Sequence, residues 1–192
     1  AVFYESFIRA FYSESLHLYL NSSITFMAHI TLGGTATETS GTLPKLEATL
    51  SNFKLTATDL STKQLKDYDG HRKILNIFPS VDTGVCATSA RKFNEQASQL
   101  DNTKVLCISR DLPFAQARFC AAEGLDNVEM LSDFKDGSFG KENGLEITNG
   151  AFEGLHSRVV LVLDENNNVL HTEQVPEIGQ EPDYQKALNA LK

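Results

Sequence analysis

The sequence predicts a single α/β domain with a central mixed sheet, flanking helices and an N-terminal β-hairpin. Two observations carry this. Short apolar runs at 73–78, 103–109 and 159–163 read as buried strands, and segments with apolar residues at helical spacing alternate with them. The junctions between them hold Gly, Pro, Asp and Asn, the residues that turn a chain sharply. The length of 192 residues suits one domain and buries roughly 70% of the unfolded surface.

The first 26 residues do not match the rest. They hold seven of the seventeen aromatic residues, and Phe3, Phe7 and Phe11 recur at helical spacing. Glu5, Arg9 and Glu14 interrupt the apolar face and there is no basic start, which argues against a signal peptide. The expectation is an appended extension over 1–26 with no catalytic role; an amphipathic helix that docks its aromatic face is the sharper alternative. The folded domain is expected over 27–192.

Within that domain Ile30 and Leu32, then Gly33-Gly34, then Thr35, Thr37 and Thr39 read as a tight hairpin. Connecting chain over 41–52 leads to an alternating strand at 53–58, a short helix or turn at 65–70 and the central strand from Lys73 to Phe78. Ala90, Phe93, Ala97 and Leu100 mark a helix after Cys86. A strand over 103–109 is followed by Asp111 as a helix N-cap, Pro113 at the helix start and Gly124 as its stop. A short strand at 128–131 precedes a Gly- and charge-rich loop over 133–157 with one short helix near 140–142. Strands at 159–163 and 169–175, joined by Asp164–Asn168, make the clearest hairpin, and Tyr184, Ala187, Leu188 and Leu191 close the chain as a helix. This is the order of a thioredoxin-like domain, although periodicity alone admits other α/β sheets.

Composition narrows the function. A net charge of −8, with no basic stripe, argues against nucleic acid or an anionic membrane surface as partner. No apolar run approaches the ~20 residues of a membrane span. Three cysteines, an odd number, argue against a secreted disulfide framework and for thiol chemistry in the cytoplasm rather than the periplasm. Cysteine spacings of 21 and 13 do not suit a zinc knuckle, and His17, His29, His71, His156 and His171 form no i, i+4 pair; each is expected on the surface or in a loop. There is no Cys-x-x-Cys, no dinucleotide fingerprint and no Gly-x-Ser-x-Gly elbow. A thiol enzyme without metal or cofactor is what remains.

Cys86 is the cysteine best placed for chemistry. It follows a strand and the loop Pro79–Val85, in or beside a first helical turn whose N–H groups have no helical partners. Cys107, mid-strand between Leu106 and Ile108, reads as core, and a packed role is also the plain reading of Cys120 between Phe119 and Ala121. The spacing Pro79-x-x-x-Thr83-x-x-Cys86 after a strand resembles the active-site motif of peroxiredoxins. The longer wording from Asn76 to Cys86 is similar to one branch, the bacterial thiol peroxidases, which are atypical two-cysteine peroxiredoxins. The resemblance covers about residues 28–192.

That resemblance implies further roles. Arg118-Phe119-Cys120, downstream of Asp111–Ala115, matches the setting of the resolving cysteine, and Arg158, before the apolar strand 159–163, matches the active-site arginine. Arg91 is a nearer but weaker candidate for the cation. The family also implies hydrogen peroxide or alkyl and lipid hydroperoxides as substrate, thioredoxin as reductant, a homodimer and antioxidant defence.

Energetics supports needing more than a helix end. Taking an ordinary thiol from about 8.5 to about 6 needs ~3.4 kcal/mol of thiolate stabilisation. A helix N-terminus supplies ~0.3–1 kcal/mol, up to ~2 when partly buried. A hydrogen bond from Thr83 and a cation must supply the remainder. On this reading the Cys86 thiolate attacks a hydroperoxide, Thr83 and Arg158 orient it, and Pro79 shapes the loop and shields the sulfur. The sulfenic acid then condenses with Cys120, which requires one of the two helices to unwind locally. Two other classes stay open: a peroxide sensor or redox relay using the same Cys86 chemistry, and a non-catalytic thioredoxin-fold binding module.

Overall fold

A computed structural model describes residues 27–192. The expected extension or aromatic helix over 1–26 lies outside the described residues. The first elements are β1 (His29–Leu32) and β2 (Thr35–Glu38), an antiparallel hairpin. Gly33 and Gly34 turn it with φ of 59° and 79°, a conformation open to glycine without steric cost.

Seven further strands form the main sheet: β3 (Lys54–Ala57), β4 (Thr62–Gln64), β5 (Arg72–Ile77), β6 (Thr103–Ser109), β7 (Glu129–Ser132), β8 (Val159–Leu163) and β9 (Val169–Gln174). Their order is β4-β3-β7-β6-β5-β8-β9. β5, β6 and β7 run parallel, while β3, β8 and β9 pair antiparallel with their neighbours, so the sheet is mixed as expected. The expected turn at 65–70 is a 3-10 helix, Leu65–Tyr68. The polar edge strand β4 carries no sequence signal, because Thr-Lys-Gln has no apolar alternation.

The helices are α1 (Gly84–Ala97), α2 (Pro113–Glu123), α3 (Ser138–Glu142) and α4 (Tyr184–Asn189). Along β5 and β8 successive side chains go to opposite faces. Ile74, Val160 and Val162 pack with Phe93 of α1, Phe119 and Cys120 of α2 and Ala187 of α4. Leu75, Ile77, Leu161 and Leu163 pack with Phe53, Leu65 and Phe139 on the other face. Burial on both faces is why these strands read as continuous apolar runs.

Two expectations need correction. Asp111 does not cap α2: the N-cap is Leu112, with extended backbone and no side-chain capping bond, and Pro113 opens the helix. His171 lies part-buried in strand β9, neither on the surface nor in a loop, and His156, although in a loop, is not a surface histidine. It is fully buried, with Nε2 3.3 Å from Oδ2 of buried Asp133. Gly124 does end α2 in the left-handed region, with its N–H on the Cys120 carbonyl.

Candidate active site

Strand β5 points its C-terminal end into the segment that carries the chemistry. Ile77 and Phe78 are fully buried, and the Phe78 N–H donates to the Ile108 carbonyl at 3.1 Å, which holds the exit from the sheet. Pro79 is buried at the head of the loop. The chain then turns through Ser80, whose carbonyl accepts the Thr83 N–H at 3.2 Å, and Thr83 becomes the N-cap of α1.

Thr83 does not cap with its side chain. Its hydroxyl donates instead to the Cys86 sulfur at 2.6 Å, one helical turn on. Cys86 is fully buried at the third position of the helix. The N–H groups of Gly84, Val85 and Cys86 precede the first helical bond, from Ala87 N–H to the Thr83 carbonyl at 3.0 Å. The sulfur thus sits at the positive end of a 14-residue helix.

Arg158 arrives from the other side of the sheet centre. It lies immediately before β8, which pairs with β5 so that Val159 faces Ile77. Its side chain is 1% exposed, and an uncompensated charge there would be costly. Nε donates to the Ile178 carbonyl at 2.9 Å and Nη2 to the Cys86 sulfur at 3.3 Å, while Nη1 has no partner among the described residues. The structure therefore brings Thr83, Cys86 and Arg158 together, with Pro79 buried at the head of the same loop. It gives the sulfur two donors and leaves a third donor free.

The chain matches the family model described as Redoxin over residues 42–188. It is 52% identical over 165 residues to a thiol peroxidase of Corynebacterium glutamicum, covering 86% of this chain and 99% of that protein. The chain belongs to the Redoxin family. Among solved structures, a peroxiredoxin-like protein from Aquifex aeolicus superposes with a TM-score of 0.80 at 33% identity, over 85% of this chain and 96% of that one. A thiol peroxidase from Chromobacterium violaceum shares the fold, with a TM-score of 0.79 at 22% identity over 85% and 95% of the two chains. These relatives support a thioredoxin-like fold and a peroxidase enzyme that works through a thiol.

The other cysteines of this redoxin are set apart by burial. All three are free thiols. Cys107 is fully buried in β6, and burial pushes its thiol up to about 12 despite a donor from Asn76 Nδ2 at 3.5 Å. Cys120 is half-buried on α2; burial first, and the Asp126 carboxylate second, raise its thiol above the ordinary value. Cys86 and Cys120 belong to the same apolar cluster, on the sheet face that α1 and α2 cover.

Arg91 does not approach the site through its guanidinium, which pairs bidentately with Glu123 at 2.6 and 2.9 Å. Three further residues serve the site and gave no local signal in the sequence. The Ile178 carbonyl fixes the Arg158 fork; buried Ser89 donates to the Cys86 carbonyl at 2.9 Å, with Asn76 Nδ2 behind it at 3.3 Å. No group of metal-ligating side chains exists among the described residues.

Proposed function

We propose that the chain reduces hydroperoxides with Cys86 as the attacking thiolate and Cys120 as the resolving thiol. The observation that carries this is the pair of donors on one sulfur, Thr83 Oγ1 and Arg158 Nη2. Hydrogen bonds to sulfur and a fixed cation both favour the charged, nucleophilic form.

The chemistry follows from that arrangement. The thiolate attacks the terminal oxygen of ROOH; the O–O bond breaks, and the leaving alkoxide takes a proton to give ROH and a Cys86 sulfenic acid. The unpartnered Nη1 of Arg158 supplies a preorganised donor for the oxygen on which charge develops. Pro79, buried at the head of the loop, shapes the approach to a Cys86 that has no exposed surface, so water is excluded until a peroxide parts the loop side chains. The Cys120 thiol then displaces water from the sulfenic acid and forms the disulfide. Thioredoxin, a dithiol reductant, returns both cysteines to thiols.

A homodimer, hydrogen peroxide and bulkier alkyl hydroperoxides as substrates, and a cytoplasmic setting complete the reading. It is supported by the family, by three free thiols and by the absence of any helix, among the described residues, long and apolar enough to cross a membrane. Steady-state turnover with thioredoxin, thioredoxin reductase and NADPH tests it. Cys86→Ser is expected to abolish peroxide consumption, and Cys120→Ser to consume one equivalent and then stall. Turnover persisting in Cys86→Ser would overturn the proposal.

A further inference from the structure

Asp111, which does not cap its helix, is turned toward the Cys86 loop. Its Oδ1 accepts from the Ser80 hydroxyl at 2.7 Å, and its Oδ2 from the Val81 N–H at 2.8 Å and the Ser109 hydroxyl at 2.7 Å. Its carbonyl accepts from the Ser132 hydroxyl. Ser109 Oγ in turn accepts from Nε2 of Gln116, a fully buried side chain of α2 that also donates to the Leu131 carbonyl at 3.1 Å. One carboxylate thus ties together the loop that delivers Cys86, the end of β6 and the first turns of the helix that carries Cys120. Ser80 is also the residue whose carbonyl holds the Thr83 N–H, so fixing Ser80 fixes the N-cap that donates to the sulfur.

We propose that Asp111 is a positioning residue that latches the Cys86 loop closed for attack on peroxide and must release it for the disulfide to form. This rests on the two-cysteine cycle above. The two steps need opposite states of the latch. Attack needs the folded loop, with Thr83 and Arg158 on the sulfur. Resolution, Cys86–SOH plus Cys120–SH giving Cys86–S–S–Cys120 and water, needs the Cα atoms within about 4.4–6.8 Å and the Cys86 sulfur, fully buried and held by Thr83 and Arg158, withdrawn from those partners, so the packing around it must give way. The Arg91–Glu123 ion pair also bridges the two helices, but it is exposed, and exposed ion pairs contribute little. Two hydrogen bonds from the Cys86 loop to one part-buried carboxylate, itself braced by Ser109, outweigh it.

The test is rapid quench of the full chain at saturating hydroperoxide, with alkylation and mass spectrometry. It follows the sulfenic acid as it appears and the Cys86–Cys120 disulfide as it replaces it. Asp111→Asn is expected to slow the first step roughly 10–100-fold, the range for lost hydrogen bonds to a charged group, and to speed the second. Ser80→Ala, which removes one bond of the latch, should move both rates the same way by a smaller factor. It decides the matter if Asp111→Asn does not fold. A general loss of structure would slow both steps together, so rates that fall in parallel or do not change overturn the latch. A wild-type protein that forms no Cys86–Cys120 disulfide overturns the underlying cycle and the latch with it.

Discussion

Nη2 of Arg158 lies 3.3 Å from the Cys86 sulfur although 72 residues separate them in sequence. The contact exists because β5 and β8 are neighbours, one ending in the Cys86 loop and the other starting at Arg158. The same guanidinium is held by its Nε on the Ile178 carbonyl, so its fork is aimed and cannot swing freely.

On the proposed mechanism aim counts as well as charge. Arg158→Lys keeps the charge but cannot hold the Ile178 carbonyl and the sulfur with one planar fork. We expect kcat/KM for hydroperoxide to fall roughly 100-fold, the scale of losing a preorganised donor. Stopped-flow peroxide consumption measures this, and a Lys variant within twofold of wild type would show that aim is unimportant.

Glu177 connects the N-terminal hairpin to that arginine. The N–H groups of Gly34 and Gly179, the Thr31 hydroxyl and the Gly33 N–H hold its carboxyl down to about 2, from an ordinary 4.5. The folded value is the lower one, so the stabilisation is complete above about 4.5 and is lost as pH falls toward 2. NMR protection of the Gly33 and Gly34 amides should fall across that window, and Glu177→Gln should lack it already at pH 6. Unchanged wild-type protection through the window contradicts this. Ile178, next in sequence, donates to the Thr31 carbonyl at 2.8 Å, so loosening the hairpin should also lower peroxide turnover.

The thiols should differ in reactivity according to their surroundings. Cys107, pushed up to about 12 and without exposed surface, should resist alkylation until the protein unfolds. Cys107→Ala should retain peroxide turnover and cost on the order of 1 kcal/mol of stability, as for other small losses from a packed core. A collapse of turnover in that variant, with its fold intact, would give Cys107 a role that the site does not predict.

At Cys120 burial is the larger cause of the raised thiol and Asp126 the smaller. Asp126→Asn should accelerate Cys120 alkylation at pH 8 by only about two- to fivefold, the range of an exposed charge interaction. High salt should reduce the difference. Slower alkylation in the variant would contradict the sign.

Much of this was legible in the sequence, for physical reasons that can be named. Strands β6 and β8 occupy the residues expected of them because burial on both faces leaves an unbroken apolar run. Gly33-Gly34 and Gly124 announced a turn and a helix end through conformations that other residues adopt at a cost. Cys86 could be singled out because a strand, a turn-rich loop and a helix start are all local signals.

What stayed hidden depends on contacts across the fold. Asp111 two residues before a helical proline reads as a cap, and only the packing of β5 beside β6 brings Ser80 to its carboxylate instead. His156 reads as a loop histidine, yet the segment around α3 places Asp133 and Phe139 against it in the interior. The Ile178 carbonyl is a backbone group, and no side-chain pattern marks a carbonyl.

Peptide mapping after one equivalent of an organic hydroperoxide, with rapid alkylation of the remaining thiols, tests the two-cysteine cycle most directly. The account predicts a Cys86–Cys120 disulfide peptide and an alkylated Cys107. A Cys86 sulfenic or sulfinic acid beside a freely alkylated Cys120, or a Cys86 that is not oxidised at all, would contradict it.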